Sequence, residues 1–117
     1  PLMSDALPAA SEASIRSQLT ELRELGRQGQ NRAAFVLAWS LLEAAFHRLD
    51  EDGSRRPRKP GTVLESLARL GYLAPELETR LRSLVLLRNR IVHGDISAQP
   101  SADDLDAVFE AIDEALA

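Results

Sequence analysis

Arg88, Asn89 and His93 fall within the stretch LVLLRNRIVHGD, residues 84–95. An α-helix advances about 100° per residue, so Asn89 and His93, one turn apart, share a face and Arg88 stands beside them. Histidine titrates near neutrality and can give or take a proton. Arginine can grip a phosphate through two parallel N–H groups and stabilise charge that builds up in a transition state. Asparagine can orient the imidazole or a ribose hydroxyl. Together these groups suit attack of a ribose 2′-hydroxyl on the adjacent phosphodiester without a metal ion.

The position of Arg88 is itself unusual. It falls on the spacing Leu77, Leu81, Leu84, Arg88, Ile91, which reads as the buried stripe of a helix. A buried guanidinium without a partner costs several kcal/mol, on the order of 3–5. Arg88 therefore requires a carboxylate, a polar cleft or a phosphate. Glu43 is the nearest carboxylate by pattern. It is embedded in the apolar segment Trp39–Phe46, with His47 one turn further on. Glu43 and His47 could equally bond to each other. They make a poor metal site, because the chain has only two histidines and no cysteine, and no third ligand is patterned with them. No metal and no cofactor is expected.

The motif helix needs a scaffold, and the pattern supplies helices almost throughout. Ile15, Leu19 and Leu22, followed by Leu25, form a first stripe, interrupted by Gly26 and Gly29, so this helix ends near Arg27. A second helix spans about Asn31 to Leu49 on Phe35, Trp39, Leu42, Phe46 and Leu49, with alanines that permit close neighbours. Residues 50–61 read as a loop with Pro57, Pro60 and two glycines. A short third helix starts at Gly61 or Thr62 and stops at Gly71. The fourth runs from Pro75 to His93, with Gly94 as a left-handed cap. Ser101 and Asp104 resemble a capping box for the fifth, whose stripe is Leu105, Val108, Phe109, Ile112 and Leu116. No strand-like alternation appears. The expected architecture is an all-α antiparallel bundle of about five helices.

Residues 1–10 read as a tag remnant, since Pro1 and Leu2 precede Met3, followed by a disordered N-terminus. Residues 11–117 read as one helical domain. The N-terminal stretch lacks a basic-then-apolar export signal, and no apolar run reaches the roughly 20 residues that span a bilayer, so a cytoplasmic location without membrane attachment is expected.

The net charge of −4 hides an uneven distribution. Residues 103–114 hold six acids and no base, which leaves 14 basic against 12 acidic side chains elsewhere, a net of +2. Thirteen of the 14 bases are arginine. Arg55, Arg56, Arg58 and Lys59 cluster in the loop before the third helix and could track an RNA backbone. No aromatic residue interleaves them, so a base-stacking platform is not indicated. Arg90 reads as a solvated or RNA-facing charge in support of the site. Leu84–Leu87 cover nearly every side of the fourth helix, more than one neighbour would bury, which implies a second copy of the chain against it.

The run Arg88-Asn89-Arg90-Ile91-Val92-His93 resembles the motif of the HEPN superfamily: an arginine, a polar residue, then a histidine near the end of a long helix in an all-α bundle. The resemblance covers most of residues 12–116. It implies a homodimer whose composite site lies between motif helices. Many members of that superfamily are metal-independent endoribonucleases acting as toxins or in anti-phage defence, some opposite a nucleotidyltransferase-type antitoxin. Carried onto this chain, it makes Arg88 and His93 catalytic, Asn89 supporting, and Glu43 the acidic residue of an earlier helix. The other reading is a non-catalytic helical module for dimerisation or for nucleotide or RNA binding, excised from a larger protein.

Overall fold

A computed structural model describes residues 9–50 and 56–117. They form five helices: α1 Glu12–Arg27, α2 Asn31–Leu49, α3 Pro60–Arg69, α4 Pro75–Val92 and α5 Ala102–Leu116. No strand occurs among the described residues. No helix among the described residues is long and apolar enough to cross a membrane. Of the expected N-terminal tail, residues 1–8 lie outside the described residues, and Ala10 already packs against the core.

Helix α2 is the central element because apolar residues occupy most of its circumference. Ala34, Phe35, Ala38, Leu42 and Ala45 are fully buried, and Trp39 and Phe46 nearly so. The alanines let α1 and α5 approach one side while α3 and α4 close the other. Phe35 and Trp39 pack edge to face, ring centroids 6.2 Å apart, an arrangement that complements the aromatic quadrupoles. The periodic leucines of α3 and α4, Leu64, Leu67, Leu77, Leu81 and Leu84, enter the same core. Each such leucine contributes roughly 2–5 kcal/mol relative to alanine.

Three helices end in the same way, and the sequence determines how. After α1, α3 and α4 a glycine takes a left-handed conformation: Gly29 at φ 84°, Gly71 at φ 86° and Gly94 at φ 99°. At α4 the Gly94 N–H donates to the Ile91 carbonyl and the Asp95 N–H to the Arg90 carbonyl, at 3.2 and 2.9 Å. These are the paired bonds of a Schellman motif, which occupy carbonyls the helix end would leave open. Gly26 behaves differently. It stays helical inside α1, and a Cβ there would stand 2.7 Å from Leu105 Cδ2 of α5, so its smallness serves close helix packing.

The starts are equally local. Ser101 accepts from the Asp104 N–H at 3.0 Å, and Asp104 Oδ2 accepts from the Ser101 N–H at 2.9 Å, completing the capping box. Helix α3 begins at Pro60, ahead of the Gly61–Thr62 start expected from the sequence. Proline at the first helical position loses no hydrogen bond there, and the Lys59 carbonyl accepts from both Thr62 and Val63. Helix α4 stops at Val92, and His93 is its C-cap residue rather than its last helical one.

Part of the acidic character of α5 is used internally. Arg23 of α1 bonds Asp113 at 2.7 Å and lies 5.0 Å over the Phe109 ring. Arg80 of α4 lies 3.5 Å from Asp104.

Candidate functional site

Two stripes of α4 explain how the motif is presented. Leu77, Leu81, Leu84 and Ile91 are buried. Arg82, Val85, Asn89 and His93, at spacings of three, four and four, lie along the neighbouring side and line an open groove of about 560 Å³. The opposite wall comes from the start of α3, with Lys59, Thr62 and Glu65. Arg88 lies on the buried side of α4 by helical phase, yet it also lines this groove and is half-buried. Of the three partners the sequence allowed it, the structure provides the polar cleft.

Within the described residues the guanidinium is held from one side only. Arg88 Nη1 donates to Asn89 Oδ1 at 2.9 Å. Arg88 Nε is shielded from solvent and has no hydrogen-bond acceptor among the described residues. An unsatisfied N–H of this kind costs about 1–3 kcal/mol, which an anion entering the groove would relieve. No carboxylate among the described residues lies within ion-pairing distance of Arg88.

Glu43 does not partner Arg88. Its Oε2 accepts the backbone N–H of Arg58 at 2.9 Å, which ties α2 to the segment leading into α3. The side chain of His47 is 6% exposed, and its Nε2 lies 3.3 Å from the same oxygen. The contact lacks the alignment of a hydrogen bond, and neither imidazole nitrogen has a hydrogen-bond partner among the described residues. The pairing fails because Glu43 faces the α3 approach while Arg88 emerges on the α4 side of that segment. Glu43 thus fixes the wall of the groove from behind.

The basic loop divides. Lys59 lines the groove. Arg58 turns toward Asp50, Nη2 to Oδ2 3.9 Å, and borders an adjacent depression of about 410 Å³ on the far side of Thr62 and Glu65. Arg56 is exposed. Arg55 lies outside the described residues. Arg90 points away from the groove and grips Asp95 through Nε and Nη2, at 2.9 and 2.7 Å.

That grip shapes the turn that carries His93. Asp95 also accepts from the Ser97 hydroxyl at 2.6 Å and the Ser97 N–H at 3.0 Å. The hydroxyl of Ser97, then Arg90, then the Ser97 N–H hold the Asp95 carboxyl down at about 2. From α2, Arg32 donates to the carbonyls of Asp95 and Ala98. The chain leaving α4 is therefore fixed from both sides, and His93 stands exposed at its start.

The sequence did not single out two charged groove residues, Arg82 and Glu65. Arg82 stands two turns before Asn89 on one face, so helical spacing alone could have found it. Glu65 belongs to another helix, and no pattern within α4 points to it. No group of three or more His, Asp or Glu side chains gathers as a metal site among the described residues.

An all-α bundle of this order, with a half-buried arginine and asparagine late on its fourth helix and an exposed histidine at its cap, defines a HEPN-type domain. A family model described as Ribonuclease HepT-like matches residues 11–116, nearly the whole chain, and the chain belongs to that family. No curated protein and no solved structure matches it.

Proposed function

We propose that this protein is a metal-independent endoribonuclease that works as a homodimer, with a composite site where two copies of α4 meet. Arg88 binds the scissile phosphate and offsets the charge that accumulates as the phosphorus becomes five-coordinate. Asn89 holds that guanidinium in place. His93 transfers a proton at the reacting oxygens. Lys59 and Arg82 hold the flanking backbone. Cleavage by the 2′-hydroxyl leaves a 2′,3′-cyclic phosphate and a 5′-hydroxyl.

The observation that carries this reading is Arg88 itself, a half-buried guanidinium with an unpartnered Nε, in one groove with His93 and two further cations. The dimer reading is supported by α4's outer face. Leu86 is 68% exposed and lies two turns before His93, and Val92 and Ile96 are exposed nearby. Apolar side chains beside a charged groove suit coverage by a second copy. Membership of a ribonuclease family, with the HEPN resemblance, supports a role as a toxin or anti-phage effector in the cytoplasm, restrained by a nucleotidyltransferase-type antitoxin or held in a larger defence complex.

The test is incubation of the protein with total RNA in EDTA beside His93→Ala. Cleavage with 2′,3′-cyclic phosphate ends by the native protein, and none by the variant, is the expected result. RNA binding without cleavage by the native protein would instead assign it as a non-catalytic binding module.

A further inference from the structure

Glu65 is the single carboxylate among the described residues that line the groove, opposite Asn89 and His93. It is exposed, and no hydrogen bond or ion pair engages it within the described chain, although Lys59, Arg82 and Arg88 share its groove. Neither arginine pairs with it: Arg82 bonds Glu78 at 2.6 Å, and Arg88 bonds Asn89. A carboxylate accepts hydrogen bonds and repels phosphate. In a groove that binds RNA, its oxygens suit a donor placed next to the phosphate, and the ribose 2′-hydroxyl is such a donor.

We propose that Glu65 is the general base that takes the 2′-hydroxyl proton, with His93 as the acid, an assignment that rests on the ribonuclease reading above. The proton of the 2′-hydroxyl passes to a Glu65 carboxylate oxygen as the 2′-oxygen bonds to phosphorus. The bond from phosphorus to the 5′-oxygen breaks, and that oxygen receives the proton of the protonated His93 imidazole. A cyclic phosphate and a free 5′-hydroxyl leave. Solvent then returns a proton to His93 and removes one from Glu65. Glu43, bonded to the Arg58 backbone behind the groove wall, has no such access.

The experiment compares Glu65→Gln, Glu65→Asp and His93→Ala on two oligoribonucleotides in EDTA. One is ordinary RNA. The other carries sulfur in place of the bridging 5′-oxygen at one position, so its leaving group departs without a proton. Because Glu65 is exposed and unbonded, its isosteric replacement should fold normally, which circular dichroism checks. On ordinary RNA, Glu65→Gln should lose about a hundredfold or more in rate, in line with the usual contribution of a general base, with the acid-side limb of its pH–rate profile removed. Glu65→Asp should keep part of the activity. On the sulfur substrate His93→Ala should recover and Glu65→Gln should not. A Glu65→Gln rate near native with an unchanged pH profile overturns the assignment, as does recovery of Glu65→Gln on the sulfur substrate. A changed nucleotide preference at unchanged pH dependence overturns it in favour of base recognition. Native protein that cleaves neither substrate overturns the ribonuclease reading as well, and so separates the two failures.

Discussion

Arg88 Nη1 and Asn89 Oδ1 are hydrogen-bonded at 2.9 Å between adjacent residues of α4. Neighbours in a helix diverge by about 100°, so they seldom meet. Here the bond draws the guanidinium from the buried side of α4 toward the groove. Asn89→Ala should release it and slow cleavage about tenfold, equivalent to about 1.4 kcal/mol of transition-state stabilisation. Arg88→Lys should cost more, because a single ammonium cannot grip two phosphate oxygens in parallel. Single-turnover rates on one oligoribonucleotide check both. Equal rates for Asn89→Ala and the native protein would show that the bond does not position the guanidinium.

Glu43→Ala removes the acceptor for the Arg58 N–H and frees the approach to α3. The cost should be about 1–3 kcal/mol, the range for losing a partner of a partly buried polar group. The melting temperature should fall by several degrees, and cleavage should weaken as Lys59 and Glu65 lose their fixed backing. A melting temperature that does not move would show that the bond is not held in solution.

Gly94→Ala tests backbone conformation alone. A Cβ at Gly94 would meet nothing within 4 Å, but φ is 99°. The penalty should be about 1–2 kcal/mol, typical of an L-residue forced left-handed. Urea denaturation measures it, and cleavage should fall because His93 precedes this turn. A stability equal to native would mean that the helix ends another way.

Asp95 gives a pH signature. Its carboxyl is lowered from 3.8 to about 2 in the fold, first by the Ser97 hydroxyl and then by Arg90. A folded value below the unfolded one means stability that is present above pH 3.8 and lost as pH falls toward 2. Asp95→Asn should therefore flatten the melting-temperature curve across that window and leave its shape above it largely intact. Parallel curves for the two proteins would show that the carboxylate contributes nothing to the turn.

Leu86→Asp addresses assembly. Leu86 is too exposed for the change to disturb the core. Sedimentation should find the native protein dimeric and the variant monomeric, with cleavage lost in the monomer. A native monomer that cleaves RNA would confine the whole site to one copy.

Sequence alone determined the helices, their ends to within a residue or two and one face of the candidate site. Gly71 and Gly94 stop their helices because no other residue takes a left-handed turn so cheaply. The capping box closes over three residues, and Arg88, Asn89 and His93 keep their relation through helical phase. All of these are set within a turn or two of chain. Sequence placed Arg88 on a buried stripe and required a carboxylate, a polar cleft or a phosphate for it, with Glu43 the nearest carboxylate by pattern. Only the packing of α3 against α2 and α4 decided that Glu43 bonds the Arg58 backbone and that Glu65 and Lys59 line one groove with the motif. Such pairings depend on how two helices are rotated against each other, which many distant contacts fix together and no local spacing encodes.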